Sequence, residues 1–228
     1  MSTFFLLIKP KHFVLHAFNE SHQRVFEEEF SLKGKIFDNN LDILDNFLYE
    51  NIFKIEKKLG EFIKAVYLII ENEEIFSVNL SIRNKINETR INSKIINNLL
   101  IEAKNYCEET LKKGEVIHMK IDQFNIDNEY YKVLPDKAGC KSLSLDLSFI
   151  CVPNNILNSF EKVLNKFQIS VYRTISYEYL HSFLKISSNN LELVAQKILT
   201  GFNENEVVLM KKKPKNLSFF EKFFNFFN

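Results

Sequence analysis

Three apolar runs near the amino end, Phe4–Lys9, His12–Phe18 and Gln23–Leu32, are separated by tight polar connections. Such spacing predicts a meander of short strands packed on one face. Leu41, Leu44, Phe47, Leu48, Ile52, Ile55 and Leu59 then repeat with a helical period, and Gly60 ends the run. Lys64–Glu71 is apolar and bounded by charges, as a strand buried on both faces reads. Ile75–Arg83 predicts a further strand.

A second unit follows. Asn92–Lys113 is helical, with Ile95, Leu99, Ala103 and Tyr106 on one side and Gly114 closing it. Glu115–Ile126 reads as a strand. After a Pro135–Gly139 turn, Lys141–Val152 alternates, placing Leu143, Leu145, Leu147 and Phe149 on one face. Pro153 opens a helix, Gln168–Arg173 is a strand, and Ser176–Leu184 is a short helix. The order predicts an α/β fold with an α+β insertion. From Ile186 the pattern weakens, with Leu191–Thr200 a short helix and Asn203–Glu206 a polar loop serving as tether.

The last eleven residues sort differently. Ser218 and Glu221 form a capping-box pattern. At about 100° per residue, Ser218, Glu221, Lys222, Asn225 and Asn228 share one arc of the helical wheel. Phe219, Phe220, Phe223, Phe224, Phe226 and Phe227 fill the opposite half. A helix of about 1.5 Å per residue is too short here to span a bilayer, so its apolar face must lie flat on a surface. Half-burial of six Phe side chains contributes on the order of 5–9 kcal/mol before ordering costs. Lys211, Lys212, Lys213 and Lys215 just upstream, with Lys222, add attraction to an anionic membrane surface. An apolar face plus a polybasic stretch is the two-signal logic of peripheral attachment.

Composition narrows the remainder. With 46% apolar and 26% charged residues the chain can bury a core, and a net charge of +1 gives no field to gather nucleic acid. Cys107, Cys140 and Cys151 lack metal-ligand spacing, and an odd thiol count without a secretory signal fits a reducing cytoplasm. No stretch approaches the ~18 apolar residues of a spanning helix.

Residues Val116–Asp127 (VIHMKIDQFNID) resemble the strand that opens the later half of the inserted subdomain in the FtsA family of bacterial cell-division proteins. The similarity in spacing continues through Leu134–Leu143, Ser144–Val152, Asn154–Phe167, Gln168–Thr174 and the helix from Tyr177. The resemblance implies half of an actin-like fold with an inserted SHS2-like subdomain. On that view residues 1–81 and 161–185 form the first actin-like subdomain and 82–160 the insertion. Residues 186–217 are then a linker with a basic stretch, and 218–228 the membrane-targeting helix.

The departures from the family are equally specific. FtsA-like proteins hold ATP with an acidic, Gly/Thr-containing hairpin, whereas Leu6–His12 reads LLIKPKH. A second Gly-rich phosphate hairpin has no counterpart, nor does the second half of the actin-like body. Without glycine the backbone cannot wrap phosphate oxygens closely. The expectation is therefore no cofactor, with ATP binding lost and Lys9 and Lys11 exposed loop residues. His118 reads as a structural histidine in a strand, and Cys151 as a small apolar residue. His12, His16, His22 and His181 have no ligand spacing, and Asp122, Asp127 and Asp136 form no acid–base pair. Glu27–Glu29 reads as a charged strand edge that discourages pairing.

The expected protein is thus a non-enzymatic, membrane-peripheral division protein on the cytoplasmic face of the bacterial inner membrane. Its insertion would dock full-length FtsA or the cytoplasmic tail of a single-pass division protein, with no nucleic acid partner. The alternative is a peptide-binding module like the pilus-assembly protein PilM.

Overall fold

The structure is a computed structural model that describes residues 2–31, 41–135, 138–187 and 190–207. Strands β1 (Thr3–Lys9), β2 (His12–Phe18) and β3 (Arg24–Ser31) form the expected antiparallel meander. Helix α1 (Asp42–Leu59) leads to β4 (Ala65–Ile70), which lies parallel to β1. Gly60 at φ 72° ends α1, its N–H closing on the Glu56 carbonyl, a left-handed conformation that glycine adopts without strain. Much later in the chain, β9 (Ser170–Ser176) joins β4 in parallel, giving a five-stranded sheet of order β3-β2-β1-β4-β9.

Between β4 and β9 the chain builds a second, antiparallel sheet of order β5-β8-β6-β7. Its strands are β5 (Phe76–Arg90), β6 (Gly114–Ile126), β7 (Glu129–Tyr131) and β8 (Ala138–Pro153), with helix α2 (Ser93–Thr110) on one face. The alternation in β8 is borne out: Leu143, Leu145, Leu147, Phe149 and Cys151 are buried against α2. The opposite face is polar, where Asp146 accepts from Ser81 and from Gln123, each at 2.6 Å. β7 had no sequence signal. It follows a two-residue turn in which Asp127 (φ 51°) and Asn128 (φ 73°) are both left-handed, the geometry of a tight hairpin.

The first sheet is covered on both faces, which is why β1 and β4 are almost wholly apolar. Phe4, Leu6, Ile8, Phe13, Leu15, Leu68 and Ile70 pack beneath α1 and α3 (Asn154–Lys166). Phe5, Leu7, Val14, Phe18, Ile69 and Ile175 pack beneath α4 (Tyr177–Ser187) and α5 (Leu191–Leu199). The chain crosses from one core to the other at Ile75–Phe76 and at Pro153–Asn154, earlier than the 81/82 and 160/161 divisions read from the sequence. β5 runs longer than its apolar stretch because β8 supplies partners along its length, and α3 turns its apolar stripe to the first sheet.

The stretch read as linker from 186 is part of this body up to residue 207. The Asn190 side chain caps α5 by accepting from the Glu192 and Leu193 amides, and Val194, Ala195 and Ile198 are buried on the sheet. Beyond α5 the chain lies along the free side of β6. Ile121 N–H donates to Asn205 O and Val207 N–H to Met119 O, both at 2.8 Å. Asn203–Val207 is therefore a strap across the body, in place of the expected tether.

Candidate functional site

Parallel strands carry ligands outside their carboxyl ends, and here β1, β4 and β9 end together at Lys9, Ile70 and Ser176, with Glu71 just beyond β4. Lys9 is not the free loop cation that the sequence suggested. Its Nζ donates to Tyr177 Oη at 3.2 Å, lies 4.3 Å from the centre of that ring and sits 3.7 Å from Glu71 Oε2. Lys9 is thus paired with a carboxylate and an aromatic ring, with both members of the ion pair partly exposed. Pro10 occupies the β1–β2 turn and Lys11 is exposed.

A set of ionisable groups gathers where the two sheets meet. The side chain of Glu206, on the strap, is buried and accepts from three donors. His118 Nδ1 on β6 lies 2.7 Å from its Oε1, Arg173 Nη2 on β9 lies 2.5 Å from the same oxygen, and Tyr179 Oη on α4 donates to Oε2 at 3.0 Å. Asn203 Nδ2 donates to Tyr179 Oη at 2.7 Å, and the Ser176 amide donates to His118 Nε2 at 3.1 Å. Since Nε2 accepts, the neutral ring carries its proton on Nδ1 and gives it to Glu206. Burial holds the imidazole below the usual histidine range, against the opposing pull of the carboxylate. For Glu206 burial works upward, but His118, Arg173 and Tyr179 together outweigh it and hold the carboxyl below its usual range. Burial also pushes the Tyr179 phenol upward.

The pair is therefore neutral imidazole against carboxylate, with Arg173 as the balancing cation. His118, Arg173, Tyr179 and Asn203 thus all converge on Glu206 or on one another. The cluster joins β6 of one sheet to β9 of the other through the strap.

A second histidine–carboxylate contact was equally hidden in the sequence. His16 on β2 is buried, and its Nδ1 lies 2.9 Å from Glu192 Oε1 on α5. Burial opposes ionisation of Glu192, yet His16, the residue's own backbone amide and Arg24 hold it below the ordinary value. Both contacts fasten residues 190–207 to the rest of the molecule.

The remaining candidates are dispersed. His12 pairs with Lys9 across the first hairpin, His22 sits in a turn and His181 packs beside Tyr177. Asp127 accepts from the Lys141 and Ser142 amides, Asp122 meets the Ser148 hydroxyl, and Asp136 lies outside the described residues. Cys107, Cys140 and Cys151 are buried, and burial, reinforced by Cys107, pushes the Cys151 thiol up to about 12. Among the described residues no three His, Cys, Asp or Glu side chains gather as metal ligands, and no helix is long and apolar enough to cross a membrane. Lys211, Lys212, Lys213, Lys215, Phe219, Phe220, Lys222, Phe223, Phe224, Phe226 and Phe227 all lie outside the described residues.

No family model and no curated protein matches the chain. Among solved structures it is similar to the cytoplasmic domain of EpsL, an inner membrane component of the type II secretion system of Vibrio cholerae. The TM-score is 0.36 at 10% identity, over 79% of this chain and 57% of that one. It is also similar to a chain of the PilM–PilN type IV pilus biogenesis complex (TM-score 0.46, 7% identity, 80% and 49%). A third is a Bacteroides thetaiotaomicron protein with an actin-like ATPase fold and unknown function (0.34, 12%, 80% and 55%). The chain spans about half the length of these structures. The likeness is one of chain arrangement, and no site residue is carried over from it. The mixed α/β class expected from the sequence is the class observed.

Proposed function

We propose that this protein is a non-catalytic adaptor of the actin-like superfamily that attaches to an anionic membrane through residues 211–228 and presents its folded body to protein partners. The observation that carries the reading is the complete sorting of residues 218–228 into a Phe face and a polar face, directly behind four lysines. The body supports it. The strap and its Glu206 junction fix the chain up to Val207, so an attached tail would hold a defined platform.

A non-catalytic role is supported by the engagement of Lys9 with Glu71 and Tyr177 and by the closure of the His118–Glu206 cluster. The FtsA-like pattern of residues 115–184 favours partners in the division machinery at the cytoplasmic face of the inner membrane, with the second sheet and α2 as the docking unit. A PilM-like module is the alternative reading.

Co-sedimentation with vesicles, comparing the intact chain with one ending at Leu209, tests the attachment. The intact protein is expected to sediment with vesicles containing phosphatidylglycerol and to be released by salt, while the shortened one stays in solution. Equal behaviour of the two overturns the reading. Affinity capture through the intact protein then separates division partners from pilus partners.

A further inference from the structure

A sheet with an open edge invites another strand, and soluble proteins blunt such edges. Of the four edges formed by the described strands, three are blunted here. β3 carries Glu27, Glu28 and Glu29, and its pairing with β2 is interrupted by an irregularity at Ala17/Phe18. β9 is irregular against β4 at Val66/Tyr67, its Ser176 amide is taken by His118, and Arg173 is held by Glu206. β7 is only three residues long.

β5 is different. From Phe76↔Cys151 to Lys85↔Ser142 it pairs with β8 in unbroken register, without proline or bulge. Of those ten residues, Phe76, Ser77, Asn79, Ser81, Arg83, Asn84 and Lys85 are exposed. The sequence of this edge also reads compatibly against itself. Antiparallel pairing about a twofold axis at Leu80 sets Val78 opposite Ile82, Asn79 opposite Ser81, Ser77 opposite Arg83 and Phe76 opposite Asn84. Val78, Leu80 and Ile82 belong to the core beneath α2, so these apolar side chains meet one another at the centre of that face, with a Phe76–Asn84 pair at each end. Asn79, Ser81 and Asp146 lie on the polar face, so polar groups meet polar ones there. No like charges stand opposite each other, the arrangement that would penalise the pair.

We infer that β5 is a self-association edge, on which a second copy of this chain docks its own β5 antiparallel to give one continuous sheet of eight strands. A single strand pair is a small contact, so the dimer is weak in dilute solution. Its geometry is isologous, the commonest form of protein self-association. The inference stands apart from the membrane reading, since it rests on β5 alone.

The experiment uses the full chain in sedimentation velocity up to about 100 μM. A concentration-dependent dimer is expected. N79K/S81K, which opposes lysines twice across the twofold axis, is expected to weaken it about tenfold or more, with circular dichroism and melting unchanged. As a check on register, a mixture of N79C and S81C chains is expected to form an interchain disulfide on mild oxidation, because these positions face each other. Neither variant alone should do so, and the three native cysteines are buried. A monomer at all concentrations, an association that survives N79K/S81K, or equal cross-linking by the single variants and the mixture would each overturn the inference. Association that survives would belong to another surface, such as the Phe-rich tail.

Discussion

Glu206 Oε1 lies 2.7 Å from His118 Nδ1, and through this contact a residue near the end of the folded body is bonded to the middle of the inserted sheet, 88 positions earlier in the chain. Arg173 and Tyr179 complete the enclosure from the other sheet and from α4. Removing the carboxylate leaves the partly exposed Arg173 guanidinium without its counter-charge and two buried donors, His118 and Tyr179, unanswered. Glu206→Ala is expected to destabilise the protein by about 3 kcal/mol, the usual cost of breaking a buried pair, read as a lower urea midpoint. An unchanged midpoint would show that the strap is dispensable.

The same junction sets a pH dependence. His118 is neutral when folded because burial disfavours its charge, whereas the unfolded ring takes a proton near the ordinary value of 6.5. Acid therefore favours the unfolded chain, and stability falls as the pH drops below 6.5. Glu206, held below its ordinary value of 4.5, adds a second loss as the pH falls below that value towards its folded pKa. Glu206 pulls the other way, but burial, joined by the charges of Arg173 and Lys120, prevails and sets the sign. His118→Asn, which retains a donor toward Glu206, is expected to flatten the upper limb, measured as urea midpoints from about pH 5 to pH 8.

Asn190 accepts from two amides at the start of α5. Asn190→Ala is expected to cost about 1 kcal/mol and to speed hydrogen exchange in α5 more than in β1 or β4. Uniform acceleration across all three would mean that α5 opens only with the whole body.

Lys9 engages Glu71 and Tyr177, and no glycine lies in the β1–β2 turn. Mg-ATP is therefore expected to leave the melting temperature unchanged. A rise that grows with nucleotide concentration, as linkage requires of any ligand of the folded state, would show a retained site. Lys9→Ala should cost less than about 1 kcal/mol, since both partners of its ion pair are partly exposed.

Replacing Lys211, Lys212, Lys213 and Lys215 by Ala is expected to lower affinity for anionic vesicles by roughly 10²–10³-fold, at about 1 kcal/mol per cation near the surface. Phe223→Glu with Phe224→Glu should abolish sedimentation even at low salt. Vesicle binding that ignores both sets would place the contact elsewhere.

The first sheet was readable because Phe5, Leu7 and Ile69 face one core while Leu6, Ile8 and Leu68 face another, and full burial on both faces leaves continuous apolar runs. β8 was readable from its alternation with Ser142, Ser144, Asp146 and Ser148. The strap was not. Asn203 and Glu206 are polar, and their placement depends on His118, Arg173 and Tyr179, which no local period connects to them. His16 opposite Glu192 was concealed for the same reason, since each partner alone reads as an ordinary polar residue in an amphipathic element. β7 escaped because three residues are too few to show a period of two.

The strap also has a mechanical consequence. Tension applied to the chain beyond Val207 is carried first by the Val207–Met119 and Ile121–Asn205 backbone hydrogen bonds, and by the Glu206 contacts beside them. Those bonds end on β6, and Glu206 passes part of the pull to β9. A force entering at one point is thus divided between both sheets, so the body would be dragged as a unit before α5 could be peeled from its face.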